Sequence, residues 1–312
     1  MGDLSMDRLA LKIRIFFLHW LHCRSRSSSL PLVKHFSYKD IKRATGGFGR
    51  LIDSSSHGAV YRASFQNGQV SFQVKEVKNL DDQDDDMFFN EVQLLWRLHH
   101  RHIVSLVGFS SGPERFLLFE NVENGSLKEH LSDPLKSPLN WRTRLQIAIG
   151  IAAALEYLHF FCDPPIYHVT LSSSTVFLDE DFNAKLSDIR LLSPVRSKTK
   201  IPKPSCSAVC VDETCKKLIF QLGVLIPELI TGQSSEDGGS ELVKWVQESR
   251  FRKSIYRVLD PDLGDDYDSQ ELGGLLRVAR LCVNSINKPT VKTPQILRYV
   301  QNKIRVNEDD IH

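Results

Sequence analysis

Between His57 and Val77 the chain reads His57-Gly58-Ala59-Val60-Tyr61-Arg62-Ala63-Ser64-Phe65-Gln66-Asn67-Gly68-Gln69-Val70-Ser71-Phe72-Gln73-Val74-Lys75-Glu76-Val77. Two β-rich runs, His57 to Phe65 and Val70 to Val77, flank Asn67-Gly68, a dipeptide that accepts the positive φ angles of a two-residue turn. The spacing predicts an antiparallel hairpin. Downstream, the acidic run Asp81 to Asp86 precedes a helical pattern through Phe88, Val92, Leu95 and Leu98, where carboxylates favour a helix N-terminus. Strand-rich sequence continues from His102 to Glu120. After Asn124-Gly125 the pattern turns helical, clearest in Trp141 to His159, where Leu145, Ile149, Ala152 and Leu155 make one apolar face. Leu218 to Ile230 is apolar almost all round and marks a central buried helix, although Pro227 inside it costs ~3 kcal/mol or bends it. The chain is therefore read as α+β, a β-rich lobe followed by an α-rich lobe with a boundary near residue 123.

With 312 residues the chain has room for two domains or for one large domain with two lobes. The 41% hydrophobic, 25% charged and 9% aromatic content excludes a disordered or collagen-like chain. The net charge of +2 hides an asymmetry: residues 1–50 hold ten Lys/Arg against three Asp/Glu, a balance of +7, which leaves −5 for the rest. Six cysteines, Cys23, Cys162, Cys206, Cys210, Cys215 and Cys282, are too few and too uneven for a disulfide framework, which favours a reducing, cytoplasmic setting.

The N-terminal arm holds one membrane candidate, Leu9 to Cys23, interrupted by Lys12, Arg14, His19 and His22. Its longest apolar run, Ile15 to Leu18, falls far short of the ~20 residues a spanning helix needs. Asp3 and Asp7 spoil a signal peptide's basic region, and Met6 stands where myristoylation needs Ser or Thr. As a helix, Leu9, Ile13, Phe16 and Trp20 share one face beside cations, and Cys23 next to Arg24 and Arg26 is open to acylation. The arm reads first as a disordered or partner-bound tail; the other reading is peripheral contact through residues 9–26 at the cytosolic face of the plasma membrane. The serine-rich run Ser25 to Pro31 reads as linker, with structure resuming near His35.

A family resemblance rests on specific residues. Phe36-Ser37-Tyr38-Lys39-Asp40-Ile41, Ala44-Thr45, Phe48 and Gly58-Ala59-Val60-Tyr61 are followed in order by Val74-Lys75, Asn90-Glu91 and Leu98-His99-His100-Arg101-His102-Ile103-Val104. Asn124-Gly125-Ser126-Leu127, Leu155-Glu156-Tyr157-Leu158-His159 and Leu229-Ile230-Thr231-Gly232 complete the series. Together they resemble plant receptor-like kinases of the receptor-like cytoplasmic type, over residues about 36–300. The resemblance implies a two-lobed protein-kinase-like fold: an arm and linker at 1–34, a kinase-like domain at 35–304 with lobes at about 35–122 and 123–304, and a tail at 305–312. No extracellular region or spanning helix is expected.

Fold does not settle activity, so each part of a phosphoryl-transfer site is compared with what the resemblance implies. The glycine-rich phosphate cover reads Asp53, Ser55, Gly58 and Val60; two of three glycines are lost, and Asp53 sets a carboxylate beside polyanionic phosphate. Lys75 matches the strand lysine and Glu91, sixteen residues later, its helix partner. Gln73 replaces the small residue against which adenine packs, and Phe177 replaces the Leu of the pocket floor; two enlargements in one slot predict a self-filled pocket.

The catalytic loop reads His168-Val169-Thr170-Leu171-Ser172-Ser173-Ser174-Thr175. By the resemblance Thr170 stands at the base, Ser172 at the phosphate-steadying lysine and Thr175 at a metal-binding asparagine. Loss of a general base forfeits ~100- to 10,000-fold in rate. Asp188-Ile189-Arg190 takes the place of the metal-binding Asp-Phe-Gly, with Arg190 expected to neutralise Asp188. Leu218 replaces an Asp that accepts hydrogen bonds from the catalytic-loop backbone, and Val169 replaces the Arg that receives an activation-loop phosphate. The activation-segment end is matched only by Val211-Asp212-Glu213, with Glu213 expected to pair with Lys288.

Metal readings are weak elsewhere. Cys206, Cys210 and Cys215 with Asp212 lack a C-x-x-C pair. His99, His100 and His102 belong to a strand-entry motif, and Asp81 to Asp86 lacks the Gly and terminal Glu of a calcium loop. The expectation is an inactive kinase that needs no cofactor and partners other protein kinases or signalling proteins, with no nucleic-acid partner. The rival reading, an atypical serine/threonine kinase, keeps ATP and magnesium through Lys75, Glu91 and Asp188. A decayed duplicate is the third.

Overall fold

The computed structural model describes residues 33–55, 58–65, 70–77, 85–112, 114–189, 208–233, 239–247, 258–264 and 266–285. The chain divides into two compact units, Met1–Val33 and Lys34–His312. The membrane reading of residues 9–26, and with it Cys23, lies outside the described residues. So do the turn Asn67-Gly68, Arg190, Cys206 and Lys288. No helix among the described residues is long and apolar enough to cross a membrane.

The predicted hairpin forms. Strands β3 (Gly58–Phe65) and β4 (Val70–Glu76) pair antiparallel, with Val60 opposite Lys75 and Arg62 opposite Gln73. They sit in a six-stranded sheet with β1 (Lys34–His35), β2 (Leu51–Ser55), β5 (Leu106–Ser111) and β6 (Arg115–Glu120), in the order β1-β5-β6-β4-β3-β2. Period-two alternation gives the sheet two distinct faces. On one face Ala63, Val74, Phe116 and Leu118 are buried with Phe36 and with Ile41 and Ala44 of helix α1 (Tyr38–Ala44). Ser37 starts α1 by accepting from the Asp40 amide. Gln73 and Lys75 alternate with Val74 and so occupy the opposite face of β4. Helix α2 (Asp85–Arg97) buries Phe88, Val92 and Leu95 as its spacing predicts. The run His102 to Glu120 is only partly strand, because residues 102–105 form the connection into β5.

Ser126 opens the helical lobe with a capping box on α3 (Leu127–Ser132): it accepts from the Glu129 amide while the Glu129 carboxylate reaches back to the Ser126 amide. Helix α4 (Trp141–Glu156) runs into a π-helical turn, Tyr157–Phe161. Its buried surface differs from the predicted stripe. Leu145, Ala152 and Leu155 are buried, but Ile149 is only half-buried, whereas Arg144, Ile147 and Ile151 are fully enclosed. Arg144 turns the helix inward by making a buried ion pair with Asp260, Nη2 to Oδ2 at 2.7 Å.

Strands β7 (Val176–Leu178) and β8 (Ala184–Leu186) form a separate two-stranded sheet. The central helix α5 (Ala208–Thr231) continues through Pro227 and packs chiefly on α7 (Ser269–Asn284); the shorter α6 (Gly239–Gln247) also touches α7. Val211 to Glu213 lie inside the first turns of α5, and Glu213 is exposed there. A β-sheet lobe followed by a helical lobe is the protein-kinase-like fold.

Candidate nucleotide site

The cleft side of the sheet and the turn after β8 bring Lys75 and Asp188 together. Lys75 Nζ donates to Asp188 Oδ1 at 2.9 Å, with the two side chains 25% and 14% exposed. Arg190, the expected neutraliser of Asp188, lies outside the described residues; among the described residues Lys75 pairs with this carboxylate. Glu91 is half-buried on α2.

Gly58 keeps its glycine for a reason other than phosphate. Its φ is +133°, and a Cβ there would collide with the carbonyl oxygen of Glu76 on the neighbouring strand. The Ala59 amide also donates to Glu76 Oε2 at 3.4 Å. Hairpin geometry alone therefore demands this residue. Val60 is half-buried opposite Lys75, while Asp53 and Ser55 contribute backbone to β2 and their side chains lie outside the description. Gln73 is buried at 8% exposure, opposite Phe119 across the sheet. Phe177 is half-buried on β7, opposite Lys185 and bridged to Ser126.

The catalytic-loop segment is cross-tied through its own hydroxyls. Thr175 Oγ1 donates to the Thr170 carbonyl at 2.8 Å and accepts from the Ser172 amide at 3.0 Å. Ser172 Oγ lies 2.8 Å from Ser174 Oγ, and Ser187 Oγ donates to the Thr175 carbonyl at 2.9 Å. Thr170 is exposed, its amide donating to the Asp188 carbonyl at 3.0 Å. Half-burial lowers the pKa of His168. Val169 and Ile189 are both buried and pair through a backbone bridge, so a buried apolar residue stands where the resemblance implies a phosphate-receiving Arg.

Two features of the site escaped the sequence reading. Leu218 is buried, as its apolar character demands, but the loop anchor implied lost there is supplied one turn later: Gln221 Oε1 accepts from the Leu171 amide at 3.4 Å. The available signal was a lone amide three residues after Leu218 on an apolar helix. Second, Lys185 Nζ donates to Glu120 Oε1 at 2.7 Å, and that carboxylate also accepts from the Ser105 amide at 3.1 Å. No local sequence pattern links residues so far apart.

The histidines are held by protein groups. His102 bonds through Nδ1 to the Ala184 carbonyl at 2.9 Å, and the His100 ring stacks on Tyr157 at 4.9 Å. Burial lowers the pKa of both. Cys215 is half-buried and forms no disulfide, and the side chains of Cys210 and Asp212 lie outside the description. No group of three or more metal-ligating side chains occurs among the described residues.

Residues 47–235 match the family model for protein tyrosine and serine/threonine kinases. A probable receptor-like protein kinase of Arabidopsis thaliana is 36% identical over 94% of this chain and 47% of its own length. The probable serine/threonine-protein kinase PBL26 of the same plant is 34% identical over 80% of this chain and 65% of its own. The chain spans about half or less of the first curated relatives it matches. Among solved structures, the pseudokinase domain of BIR2, an immune regulator of the RLK/Pelle family, superposes with a TM-score of 0.72 at 28% identity, covering 90% of this chain and 87% of that one. The pseudokinase DRIK1, bound to ENMD-2076, shares the fold, with a TM-score of 0.69 at 22% identity over 89% of this chain and 99% of its own. The chain belongs to the protein tyrosine and serine/threonine kinase family, and its relatives there are plant receptor-like kinases.

Proposed function

We propose that this chain is a pseudokinase that transfers no phosphoryl group and acts by binding, as a scaffold or allosteric partner of an active receptor-like kinase. The observation that carries the reading is the Lys75–Asp188 ion pair. In a working site the lysine orients phosphates and the aspartate holds magnesium. Here each is spent on the other, so a magnesium nucleotide must first break a largely buried pair. The remaining donor set fits magnesium poorly. Thr175 has committed its hydroxyl to the loop backbone, and hard cations rely on a few well-placed oxygens. Thr170 offers an alcohol where proton transfer needs a base near neutral pKa. Similarity to the BIR2 pseudokinase domain supports the reading.

The test is phosphotransfer from labelled ATP with magnesium or manganese, comparing the wild type with Lys75→Ala and Asp188→Ala. The expected result is no incorporation above the variants. Incorporation that disappears in both variants would instead establish the rival, an atypical kinase using Lys75, Glu91 and Asp188; the naming of the curated relatives as kinases is what keeps that rival in view. We further place the protein in the cytoplasm, with residues 9–26 as a peripheral membrane contact. Deleting residues 1–30 is expected to release it from membranes, and unchanged membrane association overturns that assignment.

A further inference from the structure

The basic balance of the first fifty residues lies only partly in the arm. Of that +7, +4 falls between Lys34 and Arg50, where five cations stand against one carboxylate, Asp40. All six side chains are exposed. Helix α1 sorts them by side. Ile41 and Ala44 are buried in the core shared with the sheet, whereas Lys39, Lys42 and Arg43, at the i, i+3 and i+4 spacing that shares one helix side, are exposed on the other.

Two further cations flank this side. Lys34 Nζ lies 4.8 Å from the centroid of the Phe36 ring, which is part of the core beneath α1, so Lys34 stands on the α1 side of the sheet. The Arg50 amide donates to the Thr45 carbonyl at 3.3 Å and brings that residue back to the end of α1. A Cβ on Gly46 would stand 3.7 Å from Arg50 Nε. The carboxylate is already engaged: Asp40 accepts from Ser37 Oγ at 2.6 Å and lies 3.7 Å from Arg43 Nη1. Lys39 and Lys42 make no ion pair among the described residues. Glu114, exposed in the turn between β5 and β6, leaves the balance at +3 when it is counted with Asp40. Cations in a last helical turn complement the helix dipole, which accounts for Lys42 and Arg43 but not for Lys34, Lys39 or Arg50.

We infer that the outer side of α1, with Lys34, Lys39, Lys42, Arg43 and Arg50, is a second membrane contact that docks the sheet lobe on an anionic lipid surface. Exposed cations spread over one helix side suit the diffuse charge of a bilayer, whereas a single phosphate is taken by a bidentate, enclosed arginine. The inference deepens the peripheral-membrane reading of residues 9–26 and rests on it for the choice of a bilayer over an acidic protein. Stable peripheral attachment takes two signals, so loss of either contact releases the protein.

The test sediments the full chain with vesicles of phosphatidylcholine alone and of phosphatidylcholine with about one third phosphatidylserine. The wild type is expected to bind the anionic vesicles only and to leave them as salt rises to about 1 M, where the screening length falls to about 3 Å. Lys39→Gln with Lys42→Gln and Arg43→Gln keeps good helix formers and is expected to weaken binding ~10- to 100-fold, at roughly fivefold per cation. Lys39→Arg with Lys42→Arg should bind as the wild type does. If the triple variant does not fold, Lys34→Gln with Arg50→Gln, both outside α1, is read the same way, with weaker binding expected. The inference is overturned if the wild type binds both vesicles equally, or if the glutamine variants bind as the wild type does. Binding to polyglutamate without binding to vesicles would assign this face to an acidic protein and overturns it too. Phe16→Ala with Trp20→Ala reads the arm separately: wild-type binding in that variant overturns the reading of residues 9–26 and supports the lobe as the contact.

Discussion

His159 sits in the π-helical turn at 3% exposure, its ring 4.9 Å from that of Tyr167, and neither ring nitrogen has a hydrogen-bond partner. Burial pushes its pKa down to about 4. The unfolded chain, with an ordinary value near 6.5, binds the proton first. Stability is therefore full above about pH 6.5 and is lost as pH falls towards 4. Linkage puts the loss at about 2 kcal/mol between pH 7 and pH 5. Urea unfolding at the two pH values should show it, and His159→Phe should flatten the slope; the lowered values of His100, His102 and His168 leave a residual slope of the same sign. Arg144 is the counterpart case of a charge that is fully answered. It is 1% exposed, pairs with Asp260, and donates from Nε to the Leu139 carbonyl at 2.7 Å and from Nη1 to the Leu229 carbonyl at 2.9 Å. Arg144→Ala leaves the buried Asp260 carboxylate without its counter-ion and should cost ~3–5 kcal/mol in denaturant unfolding. A loss below 1 kcal/mol would contradict this account of the helical core.

At the scale of elements, the two lobes are joined by close approaches that tolerate little bulk. Gly150 on α4 faces the His102 ring, and a Cβ there would stand 2.7 Å from its Nδ1. Gly150→Ala should therefore destabilise by ~1–3 kcal/mol although alanine favours a helix; a stabilised variant would show that the ring moves aside freely. The catalytic-loop segment depends in turn on α5. Gln221→Leu removes the acceptor for the Leu171 amide and should speed exchange of that amide while leaving the core of α5 protected. Unchanged exchange would assign the loop's order to its own hydroxyls. These elements differ in how well the sequence announces them. The hairpin around Val60 and Val74 and the helix around Phe88 and Val92 were legible because local periodicity sets which face is buried. The burial of Arg144 was not, since its partner Asp260 is distant in sequence and the arginine interrupts the apolar stripe.

The same distinction governs the candidate site of the whole molecule. The loss of polar chemistry at Thr170, Ser172 and Thr175 was readable position by position. The pairing of Lys75 with Asp188, the Gln221 anchor and the Lys185–Glu120 tie depend on which strands the tertiary fold sets side by side. They also change what the surviving residues mean. Lys75 and Asp188 look like remnants of a nucleotide site in sequence, whereas in the fold they form a contact between lobes; Gly58 is required by the Glu76 carbonyl beside it. The central claim is that this contact stands in place of a magnesium nucleotide. It is tested most directly by the thermal unfolding of the purified chain with and without millimolar ATP and magnesium. The account predicts one cooperative transition at the same Tm in both conditions; a nucleotide-dependent rise of several degrees that vanishes in Lys75→Ala and Asp188→Ala would contradict it.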